Sequence, residues 1–265
     1  MELFSDLSTL AVTELKQQCP KHHKPLWKKG DGKAICPLCQ REKVDAKTRG
    51  LVDDWQNSKL NYLYEHKSYW GNPELIKANF QSYKARPGSK EAEFKTRALN
   101  LIASYKQALE TNDLNPLNVV MSGDAGRGKS FLAACMLKEL VNAKYECLFI
   151  NLPDYYESVK RYWDEGTRPK LTLDKIVNAD VVVIDDLGAE TGREEAGKFI
   201  QDFIYNIFNK RSKTIITTNL ASEEFYQKYN ARNVSRMFAG INGQTKDRVF
   251  NFEGMKDKRA FIGLF

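Results

Sequence analysis

Gly123-Asp124-Ala125-Gly126-Arg127-Gly128-Lys129-Ser130 decides the fold of this 265-residue chain. The stretch matches G-x-x-x-x-G-K-[S/T] at every fixed position. Leu117-Asn118-Val119-Val120-Met121 before it reads as a short strand, and Phe131 to Leu140 after it as a helix. That strand–loop–helix context is the one in which such a loop cradles phosphates. Its glycines let backbone N–H groups turn inward where side chains would block an anion. The helix N-terminus adds partial positive charge. Lys129 is then expected to reach the β- and γ-phosphates of a nucleotide, and the Ser130 hydroxyl to ligate Mg2+.

Further along lies Cys147 to Asn151, a second apolar strand, then an expected helix at Pro153–Tyr162. Val181-Val182-Val183-Ile184-Asp185-Asp186-Leu187 is an apolar run ending in two acids, the pattern of a strand buried on both faces. A helix is expected at 195–210, a strand at Thr214–Asn219 and a last strand at Arg248–Phe252. Upstream, Ala92–Leu109 reads as an amphipathic helix. Strands alternating with helices imply a doubly wound α/β sheet with ligands at the C-terminal strand ends. There, Asp185 can complete the magnesium shell with Ser130, and Asp186 can orient or deprotonate a water. The competing reading of paired acids is loop entry or helix capping. Asn219 can bond that water or the γ-phosphate, or simply form a turn. Arg232 and Arg236, four apart on a helix, share a face with no acid within one turn. Either can present a cation to a neighbour's phosphate, or be a plain surface arginine.

The N-terminal part carries a different signal. Cys19-Pro20-Lys21-His22 and Cys36-Pro37-Leu38-Cys39 are two tight pairs thirteen residues apart. Two ligands per turn can close a tetrahedron around Zn2+, with His23 the weaker alternative to His22. Gly30 and Gly32 would let the intervening segment reverse as a hairpin does. With all four positions filled by protein, such a site is structural. Residues 6–18 read as a short helix. Residues 40–70 are charged, with Leu51, Trp55, Leu60 and Leu63 at helical spacing; Tyr69 and Trp70 read as packing aromatics, and Gly71-Asn72-Pro73 breaks the helix.

The net charge of +7 is compatible with a nucleic-acid partner and with an ordinary basic surface. No apolar run is long enough for a membrane span, and Met1–Leu10 lacks the form of a secretory signal. An odd set of five cysteines, three of them beside a histidine, points to metal and a reducing cytoplasm rather than a disulfide framework.

In order and spacing, GDAGRGKS, VVVIDDLGAE, TIITTN and ARNVSRM resemble the DnaC/DnaI/IstB-like branch of the AAA+ ATPases over roughly residues 73–262. The zinc stretch ahead of this core is similar to that of bacterial and phage helicase loaders. The resemblance implies a zinc-binding region at 1–50, a linker helix at 51–72 and an AAA+ P-loop domain at 73–265. It implies nucleotide binding by Gly123, Asp124, Ala125, Gly126, Arg127, Gly128, Lys129, Ser130, Phe131 and Asp185. It also implies Asp186 as hydrolytic base, Asn219 as sensor 1 and Arg236 as a finger acting in trans, with Arg232 its competitor. Asp186 stands where many AAA+ proteins have Glu, which implies slower hydrolysis. Too few residues follow Arg236 for a full helical lid, and Arg259 is the candidate for sensor 2. Phe80–Tyr83 resembles the segment that enters the core near the adenine. The function implied is ATP-dependent loading of a replicative helicase onto single-stranded DNA by an ATP-bound homo-oligomer. The rivals are an IstB-like transposition helper and a nucleotide-gated adaptor with little turnover. In initiator-type AAA+ proteins the segment between the second and third core strands faces DNA. Here it holds Lys160, Arg161 and Lys170, the cations expected on single-stranded DNA, interleaved with Tyr156, Val159 and Trp163, which can equally form an apolar helix face.

Overall fold

A computed structural model of the chain describes residues 12–29, 31–190, 197–242 and 245–258. The chain divides into two compact units, Met1–Ser58 and Lys59–Phe265.

In the first unit, β1 (Val12–Gln18) pairs antiparallel with β2 (Pro25–Lys29), Val12 opposite Lys29 and Gln18 opposite Pro25. This corrects the helix expected at 6–18, whose residues 6–11 lie outside the described residues. Val12 and Thr13 are β-branched and suit an extended strand, and β2 supplies the backbone partners that a lone helix would not need. Trp27 and Ile35 then exchange backbone hydrogen bonds of 2.7 Å each, so the chain reverses between them; Gly30 lies outside the described residues. α1 (Pro37–Tyr62) starts inside the second cysteine pair, with Pro37 at the position where a missing N–H costs nothing. The helix therefore begins well before 51. Its Leu51 and Trp55 are exposed. Among the described residues of this unit only Cys19 and Cys36 are buried. A two-stranded hairpin with so small an interior is marginal by itself.

In the second unit, a turn at Leu63–Lys67 leads to Ser68 and Tyr69. The Tyr69 amide donates to the Phe149 carbonyl and the Asn151 amide to the Tyr69 carbonyl, both at 2.7 Å. These bonds cover an edge strand, β4 (Cys147–Asn151). Tyr69 and Trp70 are packing aromatics as expected: both are buried, and Trp70 stacks on Phe149 at 4.5 Å between ring centres.

β3 (Val119–Ser122), β5 (Val181–Leu187), β6 (Thr214–Thr218) and β7 (Val249–Asn251) complete a five-stranded parallel sheet in the order β4-β5-β6-β3-β7. Val181 and Val183 face the layer of α2 (Lys90–Glu110) and α3 (Lys129–Asn142); Val182 and Ile184 face the layer of α4 (Leu152–Glu165) and α6 (Lys198–Lys210). The strand period of two thus sends alternate residues into two apolar layers, which is why the run is apolar throughout. Three short helices complete the unit: α5 (Leu173–Asn178), α7 (Ser222–Lys228) and α8 (Ala231–Met237). No described helix is long and apolar enough to cross a membrane. Because β6 lies between β3 and β5 while the chain leaves β3 for the distant edge strand, the C-terminal ends of β3, β6 and β5 open onto one crevice.

Candidate nucleotide and metal sites

Residues 123–128 leave β3 and turn into α3. Gly128, the residue before α3, has φ +97°, and Gly123 has φ +128°. A Cβ on Gly123 would lie 3.0 Å from the backbone of Phe252 and Glu253, so only glycine fits there. The loop is braced by the chain after β7: the Lys258 amide donates to the Gly126 carbonyl at 2.9 Å, and Arg127 donates to the Met255 carbonyl. Arg127 also pairs with Asp124 at 3.2 Å. Phe131 stacks on Tyr83 with ring centres 6.2 Å apart, which brings the Phe80–Tyr83 segment against α3. Arg259 lies outside the described residues.

Lys129 is buried, and its Nζ donates to the carbonyls of Gly123 at 2.6 Å and Asp124 at 2.8 Å, and to Asn219 Oδ1 at 2.7 Å. Three of the oxygens that accept from this buried cation at the mouth of the backbone cradle are neutral, and a phosphate oxygen is a stronger partner than any of the three. Asn219, ninety residues away in sequence, reaches Lys129 because β6 and β3 are neighbours.

Asp185 lies near the C-terminal end of β5 and is buried. Its Oδ1 accepts from the Thr217 hydroxyl at 2.6 Å and its Oδ2 from Asn151 Nδ2 at 3.3 Å, and the nearby Ser130 hydroxyl favours its charged form. Burial, then the neighbouring Asp186, push its carboxyl up to about 6. Among the described residues its hydrogen-bonding partners are all neutral, which fits the donor set of a divalent cation such as Mg2+. ATP with Mg2+ would bring a scissile phosphoanhydride to this crevice, with Lys129, Ser130 and Asp185 holding it. Asp186 has φ +55°, a left-handed conformation unusual for a non-glycine residue, which turns its carboxylate out of the strand. Its amide donates to Thr217 Oγ1 at 3.0 Å, and its Oδ2 accepts from Asn151 Nδ2 at 3.2 Å.

The raised carboxyl of Asp185 carries a stability consequence. A folded-state value near 6, above the ordinary carboxylate range, means the fold holds this proton more tightly than the unfolded chain. Stability from this group is fully present at low pH, falls as pH rises from about 4 to about 6, and is then lost. Asp185→Asn removes that cost, about 2–3 kcal/mol at neutral pH at most. Melting curves without metal should show the variant more stable at pH 7.5, with the advantage vanishing toward pH 4.

Asn151 and Thr217 are site residues that the sequence reading missed. Asn151 bridges both carboxylates, and Gly71 packs so close that a Cβ there would lie 2.7 Å from the Asn151 amide. Glu190 was missed too. It accepts from the Gly188 amide at 2.8 Å and from the Tyr229 hydroxyl, tying the loop after Asp186 to the start of α8. The last residue of VVVIDDLGAE was the available signal; its partner Tyr229 had none. On α8, Arg232 donates to the Tyr205 hydroxyl at 2.6 Å and lies 4.1 Å over its ring. Arg236 lies 5.0 Å from the same ring, with its Nε buried and unpartnered. Both therefore share one face, as their spacing requires.

In the first unit, Cys19 follows β1, and Cys36 and Cys39 flank the start of α1. The metal-ligating atoms of Cys19, His22, Cys36 and Cys39 all lie within 4.8 Å of one another. The Cys19–Cys39 sulfurs are 3.6 Å apart, and His22 Nδ1 is 3.8, 3.6 and 3.3 Å from the sulfurs of Cys19, Cys36 and Cys39. A zinc tetrahedron with ~2.3 Å Zn–S bonds has edges of about 3.7 Å, so the four residues fit Zn2+. The backbone N–H of His22 pulls the Cys19 thiol down to about 6, toward the thiolate that a metal needs. His22 Nε2 lies 3.1 Å from Glu42 Oε1, which leaves Nδ1 as the ligand atom. Glu42, one turn beyond Cys39 on α1, is a supporting residue that the ligand spacing alone does not reveal.

Among the three cations expected on DNA, Lys160 pairs with Glu157 at 3.0 Å and lies over Tyr156, and Lys170 donates to the Ser68 carbonyl and lies over Tyr69. Arg161 has no partner among the described residues. Val159 is buried, and Tyr156 and Trp163 both pack on Phe199 of α6, so this helix does have the apolar face that the alternative reading described.

The family profile described as IstB-like ATP binding protein matches residues 90–237. Over 248 residues the chain is 24% identical to the replicative helicase loader DnaC of Escherichia coli K12, covering 93% of this chain and 95% of that protein. An IS21-like putative ATP-binding protein of Bacteroides fragilis is 31% identical over 105 residues, 39% of each chain. The crystal structure of DnaI has the same fold, with a TM-score of 0.52 at 18% identity over 69% of this chain and 94% of its own. With the profile covering more than half of its length and the phosphate loop and acidic strand end in place, the chain belongs to the IstB-like ATP-binding proteins, AAA+ ATPases of the DnaC/IstB type.

Proposed function

We propose that this ATPase loads a replicative, DnaB-type helicase onto single-stranded DNA in a bacterial or phage cytoplasm. The observation that carries the reading is the extent of the similarity to DnaC, which runs through nearly the whole of both chains, whereas the IS21-like relative matches about two fifths. In this reading Lys129 and the loop bind the phosphates of ATP. Ser130 and Asp185 hold Mg2+, Asp186 activates water and Asn219 senses the γ-phosphate. Arg236, whose guanidinium makes no hydrogen bond among the described residues, acts on the nucleotide of a neighbouring copy, with Arg232 secured to Tyr205 beside it. The zinc-bearing first unit serves the helicase contact, and the α4 segment meets the single strand through Arg161.

A transposition helper is the second reading, favoured by the higher identity to the Bacteroides relative within its short match. Immobilised protein with ATP and Mg2+, challenged in parallel with a DnaB-type helicase and an IS21-type transposase, tests the choice. Retention of the helicase alone supports the loader; retention of the transposase alone overturns it in favour of the helper.

A further inference from the structure

Glu190 is a buried acid in the turn after Asp186, and the phosphate cradle makes no use of it. One of its carboxylate oxygens accepts from the Gly188 amide at 2.8 Å and the other from the Tyr229 hydroxyl. Burial, then the neighbouring Glu190, push the Tyr229 phenol up, so it keeps the proton that it donates. Burying a carboxylate is costly, and a site that needed only packing would be filled by an apolar side chain. The turn it holds is an unusual one. Asp186 has φ +55° and Gly188 φ +102°, and the Ala189 amide donates to the Asp186 carbonyl at 3.0 Å. Such a backbone is kept by its contacts. On one side the Thr218 hydroxyl donates to the Leu187 carbonyl at 2.7 Å and accepts from the Leu220 amide at 3.0 Å. A Cβ on Gly188 would lie 2.5 Å from the Leu220 side chain. Asn219, bonded to Lys129, stands between Thr218 and Leu220, so the turn rests on both of its neighbours. On the other side Tyr229 leads through Asn230 into α8, seven residues that include Arg232 and Arg236.

We propose that Glu190 is a positioning residue for ATP hydrolysis, joining the Asp186 of one copy to the arginine which that copy presents to its neighbour. The proposal deepens the reading of Arg236 as a finger acting in trans and rests on it. Through Gly188, the carboxylate fixes the turn that aims Asp186 at the water. Through Tyr229, it fixes where α8 begins and so where Arg236 stands. A γ-phosphate that takes Lys129 from Asn219 disturbs the Leu220 side of the turn, and Glu190 carries that disturbance to α8. Connection in space does not by itself establish coupling, so the coupling is what the experiment measures.

The test uses the full chain with Mg2+ and follows binding of a fluorescent ATP analogue, phosphate release and thermal melting. Tyr229→Phe removes only the hydroxyl. Glu190→Gln keeps one acceptor oxygen, enough for Gly188 or Tyr229 but not for both. Each is expected to lower kcat about tenfold and to change nucleotide affinity less than about twofold, because misplaced reacting groups cost rate and not phosphate binding. The double variant should lose clearly less than the product of the two single losses, since both break the same bond. A mixture then reads the trans arm. Lys129→Ala supplies a finger but binds no ATP, and Arg236→Ala binds ATP but supplies no finger, so together they should hydrolyse faster than either alone. Adding Tyr229→Phe to the Lys129→Ala chain should remove most of that gain, although this chain hydrolyses nothing itself. If the gain survives, Glu190 does not act through α8 and the coupling fails while the trans finger stands. If the starting mixture shows no gain, the trans finger itself fails and takes the coupling with it. Wild-type kcat in both single variants would overturn the positioning role. So would a loss of nucleotide affinity and melting temperature in step with kcat, which would make Glu190 a strut of the fold.

Discussion

Lys129→Ala is expected to abolish ATP binding at any practical concentration, whereas Asp186→Asn is expected to bind ATP normally and fail to hydrolyse it. The two substitutions separate because the side chains face different parts of the reaction. Lys129 is a buried cation seated on the carbonyls of Gly123 and Asp124 and on Asn219. Exchanging those neutral oxygens for phosphate oxygens gains charge-assisted hydrogen bonds of roughly 1.5–3 kcal/mol each. Removing two of them lowers affinity on the order of 10²–10⁴-fold. In the proposed reaction Asp186 acts on the water and is not part of the phosphate cradle, so its loss is expected to remove proton transfer, on the order of 10²–10⁴-fold in rate. Asn suits the position because it tolerates the left-handed backbone that Asp186 adopts, so the variant tests charge rather than strain. Equilibrium binding of a fluorescent ATP analogue and phosphate release measured side by side check both. Wild-type turnover in Asp186→Asn would remove Asp186 from the role of base.

Cys36→Ser is expected to unfold the described part of the first unit and leave ATP binding by the second intact. Cys19 and Cys36 are the only buried residues among those described in that unit, so its interior is the ligand cluster itself. Metal binding in such small sites supplies on the order of 10 kcal/mol of folding free energy, far more than a two-stranded hairpin can supply. A neighbouring effect is graded: Glu42→Gln keeps the ligands but loses the charge on His22 Nε2, and should weaken zinc on the order of 10–100-fold. Zinc content per chain and hydrogen exchange over residues 12–58 are the measurements. Protein purified without chelator that contains no zinc, yet shows protected amides in this unit, would refute the coupling.

What the sequence determined by itself is what short spacing along the chain determines. A phosphate loop needs eight consecutive residues between a strand and a helix, and all eight are covalent neighbours. The paired metal ligands follow the same logic, since each pair is one turn of chain. The apolar run at Val181–Leu187 was legible because a strand buried on both faces has no polar alternation to preserve. α5 and α7 escaped because six or seven residues are too few to establish a helical period. β1 was misjudged because its apolar spacing also suits a helix, and only pairing with β2 resolves it. Tertiary structure alone decided the partners. Sheet order brings Asn219 to Lys129 and Thr217 to Asp185, and it sets Asn151 across two carboxylates more than thirty residues away. It also decided which cations are engaged: Lys160 and Lys170 are held by Glu157 and the Ser68 carbonyl, while Arg161 lines an open cavity and has no partner among the described residues. A residue's type states which bonds it can make, but its remaining capacity depends on groups that only the folded chain places beside it.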